Sequence, residues 1–231
     1  MIYKYIVPLF LAPLMGLTST QAAVKVAANL VIYNGAQKEA SVSVSNDDDE
    51  PFLVQAWVSR YGDGESRSAP EFIIAPALFR LNAYSENLLQ IARLENVALP
   101  NNQESLFSLN IKIIAETNDA QTTQNAPSTA PTTTLKFIYR PATLAGDLND
   151  AVQQLKWSQK RGRLSVRNDS GFNIVVDEVK INGLRMKSVP EVIPPFCALH
   201  LQTPAFAGDH LSLRYIDEFG NSMFAPIADI R

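Results

Sequence analysis

Short runs in which apolar and polar side chains alternate recur along this 231-residue chain and limit it to a fold built from β-strands. In Glu39–Asn46, the side chains of Ala40, Val42 and Val44 share one face, and the serines between them share the other. Successive side chains of a strand point to opposite faces, so this run predicts a strand with one buried and one solvated face. No stretch sustains the period of an amphipathic helix.

Further strands are predicted where this pattern, or a denser apolar run, lies between turn residues such as Asn182-Gly183. The predicted runs are 52–60, 87–94, 105–114, 135–140, 163–168, 172–181, 199–202, 211–216 and 222–227. Residues 151–157 fit both a helical turn and a strand. Many short strands with regular turns predict an all-β protein made of antiparallel sandwiches.

Composition divides the chain into three parts. Residues 1–22 carry a positive start at Lys4, an apolar run and small residues before a cut after Ala22 or Ala23, which predicts an export signal. A membrane anchor is the alternative, but the run is shorter than the ~20 residues that span a bilayer. Small polar residues at 143–150 predict a linker, so the two domains are expected at 23–144 and 145–231.

Composition and spacing argue against several functions. Twenty lysines and arginines against 23 acidic residues give a net charge of −3, without the basic excess of a nucleic-acid binder. The single cysteine, Cys197, permits neither an intrachain disulfide nor a cysteine-based zinc site. Cys197 and His200 are expected on opposite faces of a strand, and no motif of nucleophilic, phosphate-binding or zinc chemistry occurs. We expect a protein that is not an enzyme and needs no cofactor or metal.

Several segments, in order, resemble the periplasmic chaperones of the chaperone–usher pilus pathway, the PapD-like family. They are VIYNGAQKEASVSVSN at 31–46, FLVQAWV at 52–58, IIAPALFRL at 73–81, LPNNQESLFSLNI at 99–111 and LKFIYRPATL at 135–144. The resemblance implies two immunoglobulin-like sandwiches in an L or boomerang arrangement. It also implies a periplasmic protein that donates an edge strand to an incomplete pilus subunit and delivers it to an outer-membrane usher.

The resemblance assigns roles to individual residues. Lys136 matches the cleft lysine that binds the C-terminal carboxylate of a subunit. Leu135, Phe137, Thr133 and Pro131 lie in the strand that is donated. Another set matches the charges that bridge the two domains, namely Glu104, Arg140 and, as the acid of the second domain, Glu218 or Asp217.

Two positions depart from the family pattern. Leu30 stands where the family has its cleft arginine, so the carboxylate would be held by Lys136 alone or with some other donor. The donated strand normally carries bulky apolar residues in alternation, and the row from Leu135 back through Thr133, Pro131, Thr129 and Pro127 carries none. Each proline also lacks a backbone donor for strand pairing.

Three explanations of the unusual strand stay open at the sequence level. The client subunit has a groove for small residues, the loop at 117–134 orders on binding along another edge, or the protein has an accessory role in the same pathway. The alternative function is an exported structural or adhesive component of a surface fibre. The final strand at 135–140 favours the chaperone, because a pilus subunit lacks a complete last strand.

Overall fold

A computed structural model describes residues 24–63, 68–115 and 130–231. The predicted export signal at 1–22 and most of the threonine- and proline-rich stretch therefore lie outside the described residues. The predicted all-β class is confirmed, since the described chain forms two β-sandwiches with one short helix. The first sandwich comprises strands within 24–140, and the second comprises the elements within 148–229.

The described residues of the first sandwich form nine strands. They are β1 (Val24–Val26), β2 (Leu30–Asn34), β3 (Glu39–Asn46), β4 (Phe52–Arg60), β5 (Phe72–Ala75), β6 (Leu78–Leu81), β7 (Glu86–Arg93), β8 (Ser105–Ala115) and β9 (Thr132–Arg140). One sheet has the order β1-β3-β7-β5 and the other β2-β9-β8-β4-β6. The alternating residues of β3, including Val42 and Val44, face Phe107 and Phe137 in one continuous apolar core.

The second sandwich contains the helix and nine strands. They are α1 (Leu148–Gln153), β10 (Lys156–Lys160), β11 (Arg163–Asn168), β12 (Ile174–Ile181), β13 (Leu184–Arg185), β14 (Val192–Ile193), β15 (Cys197–Pro204), β16 (His210–Ile216), β17 (Ser222–Phe224) and β18 (Ala228–Asp229). One sheet has the order β10-β11-β15. The other has the order β13-β12-β16-β17, with β14 paired to β12 and β18 to β16.

The ambiguous run at 151–157 contains the end of a helix followed by the start of a strand. Asp147 caps α1 by accepting a hydrogen bond from the N–H of Asp150 at 2.8 Å. Leu148, Ala151 and Val152 of the helix are buried in the second core. The predicted linker at 143–150 therefore ends inside a helix that is anchored by apolar packing.

A smaller apolar cluster joins the two sandwiches. It contains Leu30 and Ile138 from the first sandwich and Val175 and Val192 from the second, all buried. Ile32, Leu106 and Ile216 pack at its margin. The cluster lies at the parallel pairing of β2 with β9, where Leu30 is the partner of Lys136 and Asn34 is the partner of Arg140. β9 thus belongs to the sheet of the first sandwich and also borders the second.

Candidate functional site

Lys136 lies in the middle of β9, where β2 joins the strand on one side and β8 continues on the other. Its neighbours across the sheet are Leu30 and Ser108. The Lys136 side chain is 24% exposed, and its Nζ lies 2.9 Å from Oε2 of Glu191 in the second sandwich. Lys136 therefore holds its charge in a partly desolvated cleft between the two sandwiches, where it already contacts a carboxylate.

Tyr61 is the second donor to that carboxylate. It directly follows β4, and its hydroxyl donates to the same Oε2 of Glu191 at 2.8 Å. We call Lys136, Tyr61 and Glu191 the cleft triad. Hydrogen bonds from Lys136 and Tyr61 lower the pKa of the Glu191 carboxyl. Partial burial, together with the hydrogen bond to Glu191, raises the pKa of Tyr61 to about 12, so the hydroxyl keeps its proton at neutral pH.

The backbone next to Glu191 is fixed at the junction of the two sandwiches. The carbonyl of Glu191 accepts a hydrogen bond from the N–H of Val176 at 2.9 Å, and the next residue, Val192, is buried in the apolar cluster that joins the sandwiches. The Glu191 side chain itself is 70% exposed. An anchored backbone with a largely solvated carboxylate lets the side chain leave the lysine at little cost in solvation.

Leu30, at the position where the resemblance predicts a cleft arginine, carries no charge. The residue is 9% exposed and belongs to the same apolar cluster. Its side chain is used for packing between the sandwiches rather than for binding an anion. Lys136 and the hydroxyl of Tyr61 are the two groups seen donating to a carboxylate in this cleft among the described residues.

The first half of β9 has a strand neighbour on one side only among the described residues. The pairing with β8 runs from Ser105 to Lys112, whereas β2 pairs only from Lys136 onward. The N–H of Ile113 donates to the carbonyl of Pro131 at 3.0 Å. Because hydrogen-bonded and non-bonded pairs alternate in an antiparallel ladder, Thr133 bonds to β8 and the backbone of Thr134 points away from it.

The side chains of β9 follow the predicted alternation, but they do not all lie at the surface. Leu135 packs on the first core, whereas Thr133 and Pro131 are exposed. Phe137 is fully buried inside that core. The Phe137 side chain therefore fills the interior between Phe72, Phe107 and Tyr33, and only the exposed members of the strand present side chains to solvent.

Arg140, at the end of β9, connects both sandwiches. Its Nε donates to Oε1 of Glu104 at 2.7 Å, and its Nη1 donates to Glu218. The other oxygen of Glu104 accepts the N–H of Asn173 in the second sandwich at 2.7 Å. Burial raises the pKa of the Glu104 carboxyl, and the Arg140 guanidinium and the Asn173 N–H oppose that shift.

Of the two acids that the sequence offered for this bridge, the structure brings Glu218 to Arg140. Asp217 instead accepts hydrogen bonds from the N–H groups of Phe219 and Asn221 in its own turn, both within 2.9 Å. Adjacent residues therefore have separate roles, since one closes the turn and the other reaches the first sandwich. The Arg140 guanidinium also lies 5.1 Å from the ring centroid of Phe172.

The described part of the chain gives little support for a cysteine–histidine catalytic pair or a metal site. His200 Nδ1 lies 3.0 Å from the hydroxyl of Ser165, and β15 places His200 and Cys197 on opposite faces. Residues 24–63, 68–115 and 130–231 contain no cluster of three or more side chains that could hold a metal ion. Over the same residues, the longest helix is far too short to cross a bilayer.

Tyr61 and Glu191 were missed by the sequence analysis. They lie 130 residues apart, outside any strand, and neither belongs to a segment that carries the resemblance. Their only sequence signal is position, because Tyr61 follows a predicted strand and Glu191 precedes the apolar pair Val192 and Ile193.

Comparison with known proteins identifies the family models and relatives that this chain matches. Residues 23–145 match the family model described as "Pili and flagellar-assembly chaperone, PapD N-terminal domain", and residues 150–225 match "Pili assembly chaperone PapD, C-terminal domain". The probable fimbrial chaperone LpfB of Escherichia coli O157:H7 is 33% identical over 90% of this chain and 84% of its own length. The chaperone protein FimC of Escherichia coli K12 is 30% identical over 87% of this chain and 81% of its own length.

Solved structures show the same fold. The Salmonella enterica SafB chaperone, solved in complex with the SafA pilin, is among the matches, with a TM-score of 0.77 and 28% identity. The match covers 91% of this chain and 97% of the solved chain. The periplasmic chaperone SfaE matches with a TM-score of 0.69 and 25% identity, covering 90% of this chain and 97% of its own.

Proposed function

The chain belongs to the PapD-like pilus-assembly chaperones, a non-enzymatic family, and from that membership we propose that it holds pilus subunits through β9 and the cleft at Lys136. The observation that carries this proposal is the coincidence of a one-sided strand edge with a half-buried lysine on the same strand. A structural or adhesive fibre component, the alternative function, has no support among these relatives, which are chaperones.

Strand addition explains why such an edge binds a subunit. A subunit that lacks its last strand exposes apolar surface and unpaired backbone groups, both of which cost free energy in water. The edge of β9 pairs with those backbone groups, beginning at Thr134, and its side chains cover the groove. Thr133 and Pro131 are small and exposed, which suits a subunit whose groove accepts small residues.

Lys136 fixes the register of the added strand. A charge-assisted hydrogen bond to the C-terminal carboxylate of the subunit is shorter and stronger than a neutral one, particularly in a partly desolvated cleft. One end of the subunit is thereby tied to a defined point on β9, and the rest of its strand aligns along the open edge. The pilin bound by the SafB chaperone supports a pilus subunit as the partner.

The same proposal extends to location and domain roles. Residues 1–22 direct the protein to the periplasm, 23–144 form the subunit-binding domain and 145–231 form the second domain. The subunit is then passed to an outer-membrane usher without a nucleotide or other cofactor. Arg140, Glu104 and Glu218 hold the two domains in the arrangement that forms the cleft.

Two variants at one position test whether the backbone edge does the binding. Thr134→Pro removes an N–H from the open edge, and Thr134→Ala keeps that N–H. Both variants lose the hydrogen bond from the Thr134 hydroxyl to Asn110, so they differ at the backbone. After co-expression with a pilus subunit, we expect subunit recovery from the periplasm to fall with Thr134→Pro and to persist with Thr134→Ala.

Circular dichroism and thermal unfolding establish that both Thr134 variants are folded before recovery is compared. Equal recovery with the two folded variants would exclude strand donation by β9. Equal loss with both would instead assign the effect to the threonine side chain, which also contradicts the proposal.

A further inference from the structure

We propose that Tyr61 is the second donor of the carboxylate site and that Glu191 is an internal competitor that a client carboxylate must displace. This inference rests on the proposed function, because it takes Lys136 as the anchor of the subunit terminus. Tyr61 and Glu191 lie outside the segments that resemble the family. Tyr61 would supply the second donor to the carboxylate, at a site where Leu30 stands at the position of the family's cleft arginine.

Convergence of two donors on one atom is the first argument. The Nζ of Lys136 and the hydroxyl of Tyr61 lie 2.9 Å and 2.8 Å from the same Oε2 of Glu191. Two donors at hydrogen-bond distance from one carboxylate oxygen mark a point where a carboxylate is bound. Glu191 thus reports, from within the chain, the position and the chemical class of the ligand that the cleft accepts.

The two donors come from the first sandwich, and the acceptor comes from the second. Lys136 belongs to β9 and Tyr61 follows β4, so both are positioned by one five-stranded sheet. Glu191 precedes β14 and is 70% exposed. When its side chain rotates into solvent, Lys136 on β9 and Tyr61 directly after β4 keep their hydrogen-bond donors in the cleft, and an incoming carboxylate replaces both hydrogen bonds.

Charge makes the displacement of Glu191 selective for a carboxylate. With Glu191 in place, the cleft triad has no net charge, and a second carboxylate meets a lysine that is already neutralised. A C-terminal amide or an internal peptide carbonyl lacks the charge needed to compete with Glu191 for Lys136. The cleft therefore favours a free C-terminus that arrives together with the additional binding energy of a paired strand.

Tyr61 suits this role because its hydroxyl donates at any physiological pH. Partial burial raises the pKa of Tyr61 to about 12, well above the pH at which the protein would meet a subunit. The phenol adds no charge, so the site binds one carboxylate with one cation. A neutral donor beside the lysine is consistent with the apolar environment that Leu30 creates on the opposite side of Lys136.

The test measures binding of one synthetic peptide in two forms, because the natural client is unidentified. The peptide alternates valine and threonine over ten residues after two N-terminal lysines, and it is made with a free C-terminal acid and with a C-terminal amide. We expect Glu191→Ala to tighten binding of the acid by roughly tenfold and to leave the amide unchanged. Glu95→Ala, at an exposed acid far along the chain, controls for net charge.

The role of Tyr61 is measured in the Glu191→Ala background, because in the wild type its hydroxyl contributes to both the internal and the external complex. Adding Tyr61→Phe is expected to weaken binding of the acid by about tenfold, whereas adding Tyr84→Phe, at an exposed tyrosine, is expected to have no effect. Adding Lys136→Met is expected to abolish the preference for the acid over the amide.

The outcomes separate this inference from the proposed function. If Lys136→Met removes the preference for the peptide acid but Tyr61→Phe does not weaken binding of that peptide, Tyr61 is not a donor and the lysine alone is the anchor. If Glu191→Ala fails to tighten binding of the peptide acid, Glu191 does not compete for the site. If the preference survives Lys136→Met, or is absent even in Glu191→Ala, the carboxylate site itself is wrong and both proposals fail.

Discussion

Leu30 is the direct partner of Lys136 in the parallel pairing of β2 with β9, and it is buried in the apolar cluster that joins the two sandwiches. Leu30 packs between the sandwiches, and Lys136 faces the cleft. In the proposed carboxylate site, Lys136 is therefore the charged member of this pair and Leu30 the packing member. The apolar residue secures the second sandwich, which brings Glu191 within reach of Lys136.

Leu30→Arg tests this division of roles. The added guanidinium lies beside Lys136 and is expected to tighten binding of a C-terminal carboxylate. The same change removes Leu30 from the apolar cluster, and we expect the free energy of unfolding to fall by about 2 kcal/mol. Peptide affinity and denaturant unfolding measure the two effects. A variant that is as stable as the wild type would show that Leu30 contributes no packing energy.

Lys136→Met is expected to abolish recovery of a co-expressed pilus subunit from the periplasm while the protein remains folded. The methionine keeps most of the apolar length of the side chain, so the lost function reports the missing charge. Lys112→Met, on neighbouring strand β8, removes a second lysine from the same sheet and should leave recovery unchanged. Normal subunit yield with folded Lys136→Met would exclude the lysine from the mechanism.

Arg140→Met should destabilise the protein far more than Glu218→Gln does. The Glu104 side chain is 1% exposed, so removing Arg140 leaves a buried carboxylate without its cation, at a cost of about 3 kcal/mol. Glu218 is more exposed, and its loss should cost less than about 1 kcal/mol. Urea unfolding of the two variants gives the comparison. Similar losses would mean that Glu104 does not depend on Arg140.

Ionisation of Tyr61 gives a prediction on pH. Because burial and the hydrogen bond to Glu191 raise the folded pKa of Tyr61 from 10.0 to about 12, the stability that the protonated hydroxyl contributes is complete below pH 10 and is lost as pH rises toward 12. The difference in tyrosinate absorbance between the wild type and Tyr61→Phe should therefore be small at pH 10. Glu191→Ala should lower the pKa of Tyr61 and increase that absorbance. An unchanged titration in Glu191→Ala would show that no hydrogen bond joins the two side chains.

Much of the architecture follows from side-chain alternation. The run at Glu39–Asn46 coincides with β3 because its serines and valines alternate without interruption. The predicted strand at 135–140 is longer in the structure and begins at Thr132, because pairing with β8 extends an otherwise weak polar sequence. Threonine in that stretch has a β-branched side chain that is compatible with a strand, although it provides little apolar burial.

The site was predictable only in part. Lys136 and the bridge from Arg140 to Glu104 follow from motifs in contiguous segments. Tyr61 and Glu191 meet only because the two sandwiches pack together, and a contact between residues 130 positions apart leaves no local pattern. The burial of Phe137 shows the same limit, since alternation gives the face of a side chain and not the depth of the core that it enters.

Lys136 and Arg140 lie four residues apart on one strand and therefore share a face of β9, directed toward the second sandwich. The proposed subunit anchor and the ion pairs that join the sandwiches are thus carried by one strand. In the proposed site, a client carboxylate that displaces Glu191 removes one contact between the sandwiches, while the contacts of Arg140 and the apolar cluster around Leu30 remain. Under the proposed mechanism, subunit binding therefore exchanges one exposed ion pair across the cleft and leaves the buried contacts between the sandwiches intact.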